Sequence, residues 1–318
     1  MKFIINLPVR PEVLKLLEPH KVYIANDSDP ENFIDELSDS EAFIIRIPLK
    51  KFSAELISRC KKLRVIGRIG TGYDMIDINK ASSLGIPVVI APGANALSVA
   101  EHAVSMIFAL SKNLLASHDG VLNNNWNVRD SGRAFELSGK TAGIIGTGSI
   151  GSKTAELCKA LGMNIISCNS RSTRGEFENL LRNSDIISLH VPINDKTINM
   201  ISENEIALMK SSAILINTAR SELVNKSALV RALNSGLISG AGIDVFDREP
   251  PNSDDELLKC PNVIFSPHSA SITKEASFRT AEMCIKGCLA VLNGERWPYV
   301  ADKSVYDNWY ISAKNAGV

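Results

Sequence analysis

Short apolar runs rich in Ile and Val alternate with amphipathic segments along most of this chain, and this alternation constrains the fold more than any other feature. Such runs are typical of parallel strands buried on both faces. The amphipathic segments predict helices that cover the sheet, so the predicted fold class is α/β. The predicted strands are Lys2–Leu7, Ala42–Ile45, Val65–Arg68, Val88–Ile90, Ala142–Ile145, Asn164–Ser167, Ile186–His190, Ala213–Asn217, Gly240–Asp244 and Val263–Ser266. The shorter predicted helices are Glu12–Leu17, Ala228–Asn234 and Ser277–Leu292.

A chain of 318 residues predicts two domains, at about 150 residues per domain. The longest helical pattern runs from Ser98 to about Val121 and repeats apolar residues with a period close to 3.6. It separates the first group of strands from a glycine-rich segment. We therefore predict two Rossmann-like parallel-sheet domains joined by a long linker helix, with the boundary near Ala96.

The charge balance excludes two classes of partner. Lys and Arg number 35, as do Asp and Glu, so the formal net charge is zero. A nucleic-acid or membrane-surface partner requires a positive surplus, so neither is expected. Hydrophobic residues are 45% of the chain and charged residues 22%, as in globular proteins.

The cysteines predict free thiols rather than a metal site, because none forms a CxxC pair. No apolar run predicts a signal peptide or a membrane span, so a cytoplasmic protein with reduced cysteines is expected. The six cysteines of the chain are Cys60, Cys158, Cys168, Cys260, Cys284 and Cys288.

A GxGxxG motif follows the predicted strand Ala142–Ile145 and opens a helix-like run, which is the context that dinucleotide binding requires. Gly146 permits the tight turn, Gly148 lets the backbone approach a pyrophosphate, and Gly151 allows close packing of helix and strand. The helix N-terminus then offers the N–H groups of Ser149 and Ile150 to the phosphates.

The end of the second strand of this unit favours NADP(H), with NAD(H) as the alternative. Enzymes that use NAD place an acid there to bond the ribose 2′-hydroxyl, but residues 163–174 contain no Asp or Glu. Arg171 and Arg174 can instead pair with a 2′-phosphate. The polar neighbours predicted to contact the cofactor are Asn169, Ser170 and Ser172. Residues 172–185 have room for one short helix, Glu176–Leu181, so a third strand is predicted to be absent.

Three polar residues follow predicted strands in the second half of the chain: Arg220, Glu249 and His268. In an open α/β sheet, ligands bind outside the carboxyl ends of the strands, so the three are expected to converge there. Arg can hold a carboxylate and a carbonyl oxygen, and His can transfer a proton. A carboxylate beside the His favours the imidazolium form.

These residues belong to an ordered set of motifs that resembles the D-2-hydroxyacid dehydrogenase family, which includes 3-phosphoglycerate dehydrogenases and glyoxylate/hydroxypyruvate reductases. The resemblance spans roughly residues 42 to 295. The further motifs that carry it are Gly67–Asp74, Asn95–Glu101, Gly146–Gly151, His190–Pro192, Asn217–Arg220, Asp244–Pro250 and Pro267–His268.

The resemblance implies that Arg220, Glu249 and His268 are catalytic. It also implies that the backbone N–H groups of Thr71 and Gly72 hold the substrate carboxylate. Further cofactor contacts are expected from His190, Val191, Pro192, Thr197, Thr218, Ala219 and Asp244.

The same resemblance implies a discontinuous substrate domain, residues 1–96 with 290–318, around a cofactor domain at 97–289. Family members are usually dimers joined through the linker helix and the segment after it. His102 on that helix is interpreted as a packing or interface group.

The implied reaction interconverts a small 2-oxo acid and its (R)-2-hydroxy acid. Arg46 and Arg129 are candidate contacts for a second anionic group on the substrate, and a solvated basic loop is the alternative. Phosphite dehydrogenases share the same three residues, and corepressor proteins of this fold bind nucleotides with little turnover. Both functions stay open at this stage.

Overall fold

The computed structural model describes residues 1–46, 49–303 and 306–307. Its strands are β1 Lys2–Ile5, β2 Lys21–Ile24, β3 Ala42–Ile45, β4 Val65–Arg68, β5 Val88–Val89, β6 Thr141–Ile145, β7 Asn164–Cys168, β8 Ile186–Leu189, β9 Ile214–Asn217, β10 Gly240–Ile243 and β11 Val263–Phe265. They form a sheet of five and a sheet of six, and all the pairings within the sheets are parallel. The predicted α/β class with two parallel sheets is confirmed.

Eleven α-helices lie wholly within the described residues, and short 3₁₀ turns connect several elements. The α-helices are α1 Pro11–Leu14, α2 Ile34–Ser38, α3 Ala54–Arg59, α4 Ile78–Ser83, α5 Ala96–Ser111, α6 Leu114–Leu122, α7 Ser149–Ala160, α8 Arg174–Asn183, α9 Glu203–Ile206, α10 Lys226–Ser235 and α11 Lys274–Leu292. The 3₁₀ helices are Lys15–Leu17, Pro30–Phe33, Trp126–Asp130, Ser221–Leu223 and Glu256–Lys259.

The first compact unit comprises residues 1–95 and the described residues from Thr273 onward. Its strand order is β2-β1-β3-β4-β5, and α11 packs on β4. The sequence placed the start of the second segment of this domain at residue 290. In the structure this segment begins earlier, at Thr273, because all of α11 belongs to this unit. Residues 304–305 and 308–318 of that predicted segment lie outside the described residues.

Successive strand residues of the first unit alternate between two apolar layers. Phe3 and Ile44 face a layer that contains Cys284 and Cys288 of α11. Ile4 and Phe43 belong to a separate cluster with Leu56 and Ile57 of α3. This two-sided burial explains the continuous apolar runs in the sequence.

The second unit comprises residues 96–272, and its strand order is β11-β10-β9-β8-β6-β7. Beyond β7 the chain passes through α8 and returns to β8 on the other side of β6. No strand lies between Cys168 and Ile186, all of whose residues are described, so the predicted absence of a third strand is confirmed. The direction of winding reverses between β6 and β8, where ligands bind in sheets of this kind.

The helix predicted from Ser98 to about Val121 is two helices, so that prediction is wrong at its centre. Asn113, between α5 and α6, has a left-handed backbone with φ of 52°. Asn adopts this conformation more readily than most residues, and the apolar periodicity continues across the break without revealing it. The strand β2 was also not predicted, although its sequence KVYI contains a short apolar run; it is an edge strand whose residues are mostly exposed.

Candidate active site

The three glycines of the motif after β6 each occupy a position that suits a different need. Gly146 has φ of 99°, and a Cβ there would lie 2.7 Å from the backbone carbon of His190. A Cβ on Gly151 would overlap the carbonyl oxygen of Gly146. Gly148 has open space where its Cβ would be. The turn is thus tightly packed at Gly146 and Gly151 and open to solvent at Gly148.

Helix α7 begins directly at this opening, and Gly148 provides no side-chain cap. The first N–H groups of a helix have no intrahelical acceptor and carry the positive end of the helix dipole. An anionic group is therefore favoured at Gly148, and a pyrophosphate has both the donors and the room it needs.

Polar groups at the end of β7 form a compact turn. The Asn169 side chain accepts from the Arg171 N–H at 3.0 Å and donates to the Thr147 hydroxyl at 3.2 Å. The Ser172 hydroxyl accepts from the Asn169 N–H at 3.1 Å. Ser170 and Arg171 are exposed, and the Arg171 guanidinium has no partner within the described residues.

Arg174 is committed to different partners. Its Nε lies 2.8 Å from Glu178, and one terminal nitrogen lies 2.8 Å from Glu205, while the guanidinium covers the ring of Phe177. Glu176 caps α8 by accepting from the N–H and hydroxyl of Thr173, and these bonds lower the pKa of Glu176. Of the two arginines considered for a phosphate, only Arg171 has an unengaged side chain.

The segment after β8 lines the other side of the glycine turn. His190 Nε2 lies 2.9 Å from the Ser188 hydroxyl, and burial lowers the pKa of His190 to about 4. Val191 contacts the Gly146 position through its side chain. The Thr197 hydroxyl donates to the carbonyl of Pro192 at 2.8 Å and so closes this loop.

After β9, the buried Thr218 hydroxyl oxygen has no hydrogen-bond partner among the described residues. Ala219 donates its N–H to Asn217 at 3.1 Å. An unpartnered buried hydroxyl calls for a ligand or water. Together with the open Gly148 and the uncapped α7, it shows that these residues fit a dinucleotide.

His268 and Glu249 meet as the sequence predicted. His268 Nδ1 lies 2.8 Å from Glu249 Oε2, and Glu249 Oε1 accepts from the Phe246 N–H at 3.2 Å. Both side chains are about one-third exposed. With Nδ1 held by the carboxylate, Nε2 is the nitrogen left for proton transfer.

The loop that carries His268 is organised by Asp244, whose side chain is fully buried at the end of β10. Its carboxylate accepts from the N–H groups of Ser269 at 2.9 Å and Ala270 at 3.0 Å, and from the Ser266 hydroxyl. These bonds place His268 in a left-handed conformation with φ of 50°. The direct contacts of Asp244 are therefore with the loop.

His102 was interpreted as a packing or interface group, and the structure assigns it a polar contact. Its Nε2 lies 2.8 Å from the Ser266 hydroxyl and 3.8 Å from the Asp244 carboxylate. A histidine on α5 thus supports the same loop. Helical periodicity could not show this, because the contact depends on the distant Ser266.

Arg220 lies three residues beyond β9, and Glu249 and His268 follow the neighbouring strands β10 and β11. One terminal nitrogen of Arg220 donates to the Ala219 carbonyl at 2.7 Å, and the Arg220 carbonyl accepts from Asn217 at 2.8 Å. All three residues thus follow adjacent strands at the carboxyl edge of one sheet.

Thr71 and Gly72 lie in the first unit, in the loop after β4. Their N–H groups have no acceptor within the described residues. Arg46 follows the neighbouring strand β3, and one of its terminal nitrogens donates to the Pro8 carbonyl at 2.6 Å. Two adjacent free N–H groups suit a carboxylate.

Arg129 lies in the second unit on the exposed 3₁₀ helix Trp126–Asp130. Its Nε is 3.3 Å from the Asp130 carboxylate, which is also exposed. Within the described part of the chain, no three His, Cys, Asp or Glu side chains are grouped to hold a metal ion. Over the same residues, no helix is both long and apolar enough to cross a membrane.

Comparison with known proteins agrees with this geometry. A sequence model described as D-isomer specific 2-hydroxyacid dehydrogenase, NAD binding domain, matches residues 104–270. The chain belongs to the D-isomer specific 2-hydroxyacid dehydrogenase family. The predicted resemblance is therefore confirmed.

Individual relatives of this dehydrogenase-family chain are moderately similar. A glyoxylate reductase of Aeropyrum pernix is 35% identical over 93% of this chain and 94% of its own length. A D-3-phosphoglycerate dehydrogenase of Archaeoglobus fulgidus is 34% identical over 92% of this chain, which spans only 58% of that relative. The structure of an acyclic imino acid reductase in complex with NADPH and D-Arg has a TM-score of 0.86 at 28% identity, covering 95% of this chain and all of its own.

Alanine at two glycines of the turn should separate folding from cofactor binding. Gly151→Ala is expected to lower the free energy of unfolding by about 2–3 kcal/mol, because its Cβ overlaps the Gly146 carbonyl. Gly148→Ala, with open space at its Cβ, should leave stability unchanged and weaken dinucleotide affinity by roughly tenfold or more. Denaturant unfolding and calorimetric titration measure the two quantities. Equal effects of both variants on stability would contradict this account.

The half-buried His190, whose pKa is lowered to about 4 by desolvation, should make the protein sensitive to acid. The unfolded chain binds a proton near pH 6.5 at this residue, whereas the folded state resists it down to about 4, so stability is lost as pH falls through this window. The loss from this group is about 2 kcal/mol between pH 8 and pH 5. Over this pH range, the free energy of unfolding of His190→Gln should fall by about 2 kcal/mol less than that of the wild type, as measured by denaturant titration. His118→Gln, which replaces an exposed histidine, is the control. A wild-type-like loss in His190→Gln would show that His190 is not responsible.

Proposed function

We propose that this protein is an NADP(H)-dependent reductase that interconverts a small 2-oxo acid and the (R)-2-hydroxy acid. The observation that carries the proposal is the His268–Glu249 pair, 2.8 Å apart at the carboxyl edge of a sheet that also bears the glycine turn. A proton donor held by a carboxylate beside a dinucleotide cradle suits carbonyl reduction. The similarity to named dehydrogenases and reductases supports it.

Each residue of the proposed site has a separate role in reduction. The reduced nicotinamide, when bound, supplies a hydride to the carbonyl carbon. Protonated His268 donates its Nε2 proton to the carbonyl oxygen, which becomes the hydroxyl, while Glu249 holds the ring through Nδ1. Arg220 polarises the carbonyl and stabilises the negative charge that develops on its oxygen. The N–H groups of Thr71 and Gly72 hold the substrate carboxylate.

The cofactor preference rests on the end of β7. No acid is present in residues 163–174 to bond a 2′-hydroxyl, and the exposed Arg171 has no partner within the described residues. Arg pairs strongly with phosphate. Asn169, Ser170 and Ser172 surround it with further polar groups. NAD(H) is the alternative cofactor, and the matching family model is described as an NAD binding domain.

We also propose a second anionic group on the substrate, for which Arg46 and Arg129 are the candidate contacts. Arg46 stands at the carboxyl edge of the first sheet, and its neighbours Ile47 and Pro48 lie outside the described residues. Arg129 stands on an exposed turn beside Trp126. Phosphate, carboxylate or sulfonate satisfies either guanidinium.

We also propose a homodimer that works in the cytoplasm. Apolar side chains on α6 and the turn after it are more than half exposed, and an exposed apolar surface of this kind marks an interaction site. They are Leu114, Leu115, Val121, Leu122 and Trp126. The six cysteines are buried free thiols, which suits a reducing compartment.

Loss of the proton donor should abolish turnover without loss of cofactor binding. His268→Ala is expected to lower kcat for reduction by roughly 10²–10⁴-fold, the range for removal of a general acid. Reduction requires the imidazolium, and oxidation requires the neutral ring. As pH rises, kcat/KM should therefore fall for reduction and rise for oxidation. Glu249→Gln should move the reduction profile to lower pH. Near wild-type turnover of His268→Ala, or an unmoved profile in Glu249→Gln, would refute the assignment.

Replacement of Arg171 should weaken NADPH selectively. Arg171→Gln is expected to raise the Kd of NADPH roughly tenfold and to leave the Kd of NADH unchanged, because only the 2′-phosphate meets the guanidinium. Arg174→Gln is the matched control, since that side chain is engaged by Glu178 and Glu205. Fluorescence titration with both dinucleotides measures this. Tighter binding of NADH than NADPH by the wild type would remove the proposed preference.

A further inference from the structure

A buried arginine organises the loop that contains Thr71 and Gly72. Arg68 is the last residue of β4, and only 5% of the residue is exposed to solvent. Its Nε donates to the Gly72 carbonyl at 2.8 Å, and one terminal nitrogen donates to the Ile69 carbonyl. The guanidinium thus joins the two ends of the loop from inside.

These bonds fix the two peptide groups at the ends of the loop, and the peptide groups that carry the Thr71 and Gly72 N–H lie between them. Because a trans peptide holds its C=O and N–H on opposite sides, a carbonyl drawn inward turns the following N–H outward. The Gly70 carbonyl is drawn in by the Ala91 N–H at 2.9 Å, so the Thr71 N–H points away from β5. Arg68 fixes the Ile69 and Gly72 carbonyls on either side of this group.

Gly70 is the residue that lets the guanidinium occupy this position. Its φ is 140°, and a Cβ there would lie 2.7 Å from one terminal nitrogen of Arg68 and 3.0 Å from its Cζ. The guanidinium therefore lies close to the Gly70 backbone. Its positive charge, next to the Gly70 and Gly72 backbone, also favours an anion at this loop.

We propose that Arg68 is a positioning residue for the substrate carboxylate, acting through the Thr71 and Gly72 N–H groups without touching the substrate. This inference rests on the proposed function, because it assumes that a carboxylate binds at this loop. It assigns the specificity for carboxylates to a buried side chain of the first unit.

The test replaces Arg68 and measures carboxylate binding separately from cofactor binding. Arg68→Met is expected to raise KM for the 2-oxo acid roughly ten- to hundredfold and to weaken oxalate binding to the dinucleotide-loaded protein by a similar factor. The dinucleotide Kd should stay unchanged. Arg68→Lys keeps the charge but cannot make both divergent bonds, so it should restore binding only in part.

Two further variants keep the test decisive if Arg68→Met fails to fold. Gly70→Ala pushes on the same guanidinium and should raise KM likewise. Arg64→Met is the matched control, because Arg64 stands at the opposite end of β4 and also donates to a backbone carbonyl, that of Leu292 at 3.3 Å. It should lower stability without changing KM or oxalate affinity.

The outcomes separate this inference from the proposed function. An active wild type with unchanged KM and oxalate affinity in the folded Arg68 and Gly70 variants would overturn the role of Arg68 alone. Equal loss of oxalate affinity in Arg64→Met would also overturn it, since the effect would be general instability. A wild type that neither reduces a 2-oxo acid nor binds oxalate would remove both proposals.

Discussion

The Asp244 carboxylate is the interaction on which the site in the second unit depends. A fully buried carboxylate is costly unless its oxygens are hydrogen-bonded, and here two backbone N–H groups and the Ser266 hydroxyl satisfy them. These bonds close the loop after β11 tightly enough to hold His268 in a left-handed conformation. Such a conformation persists only where its surroundings enforce it, and it brings the His268 ring to Glu249. The geometry of the proton donor thus follows from one buried acid.

In both units, a buried charged side chain fixes backbone groups of a loop at the carboxyl edge of the sheet. In the second unit an anion holds backbone N–H groups inward, and in the first unit the buried Arg68 holds carbonyl groups inward. The first arrangement shapes a loop that presents an imidazole, and the second leaves N–H groups free for an anion. The glycine turn adds a third backbone surface, at the uncapped start of α7. Backbone groups fixed by buried charges therefore provide much of the chemistry proposed for this protein.

The sequence predicted most of the fold because buried parallel strands leave a strong apolar signal. It missed the exposed edge strand β2, although that strand contains a short apolar run, and it joined α5 to α6 because periodicity does not register the left-handed Asn113. The His268–Glu249 contact was predictable from residue type and strand order. The engagement of Arg174 by two glutamates was not, since it depends on how α8 meets α9. The contact of His102 with Ser266 likewise joins groups that no sequence spacing relates.

The function proposed for this protein is the reduction of 2-oxo acids. The most direct measurement follows NADPH consumption at neutral pH with a panel of 2-oxo acids that differ in the distal group, and determines the configuration of each product. We expect consumption with 2-oxo acids, fastest where the distal group is anionic, and an (R)-2-hydroxy acid as the product from chiral cases. Binding of the dinucleotide without consumption by any member of the panel would contradict the account and favour a nucleotide-binding module.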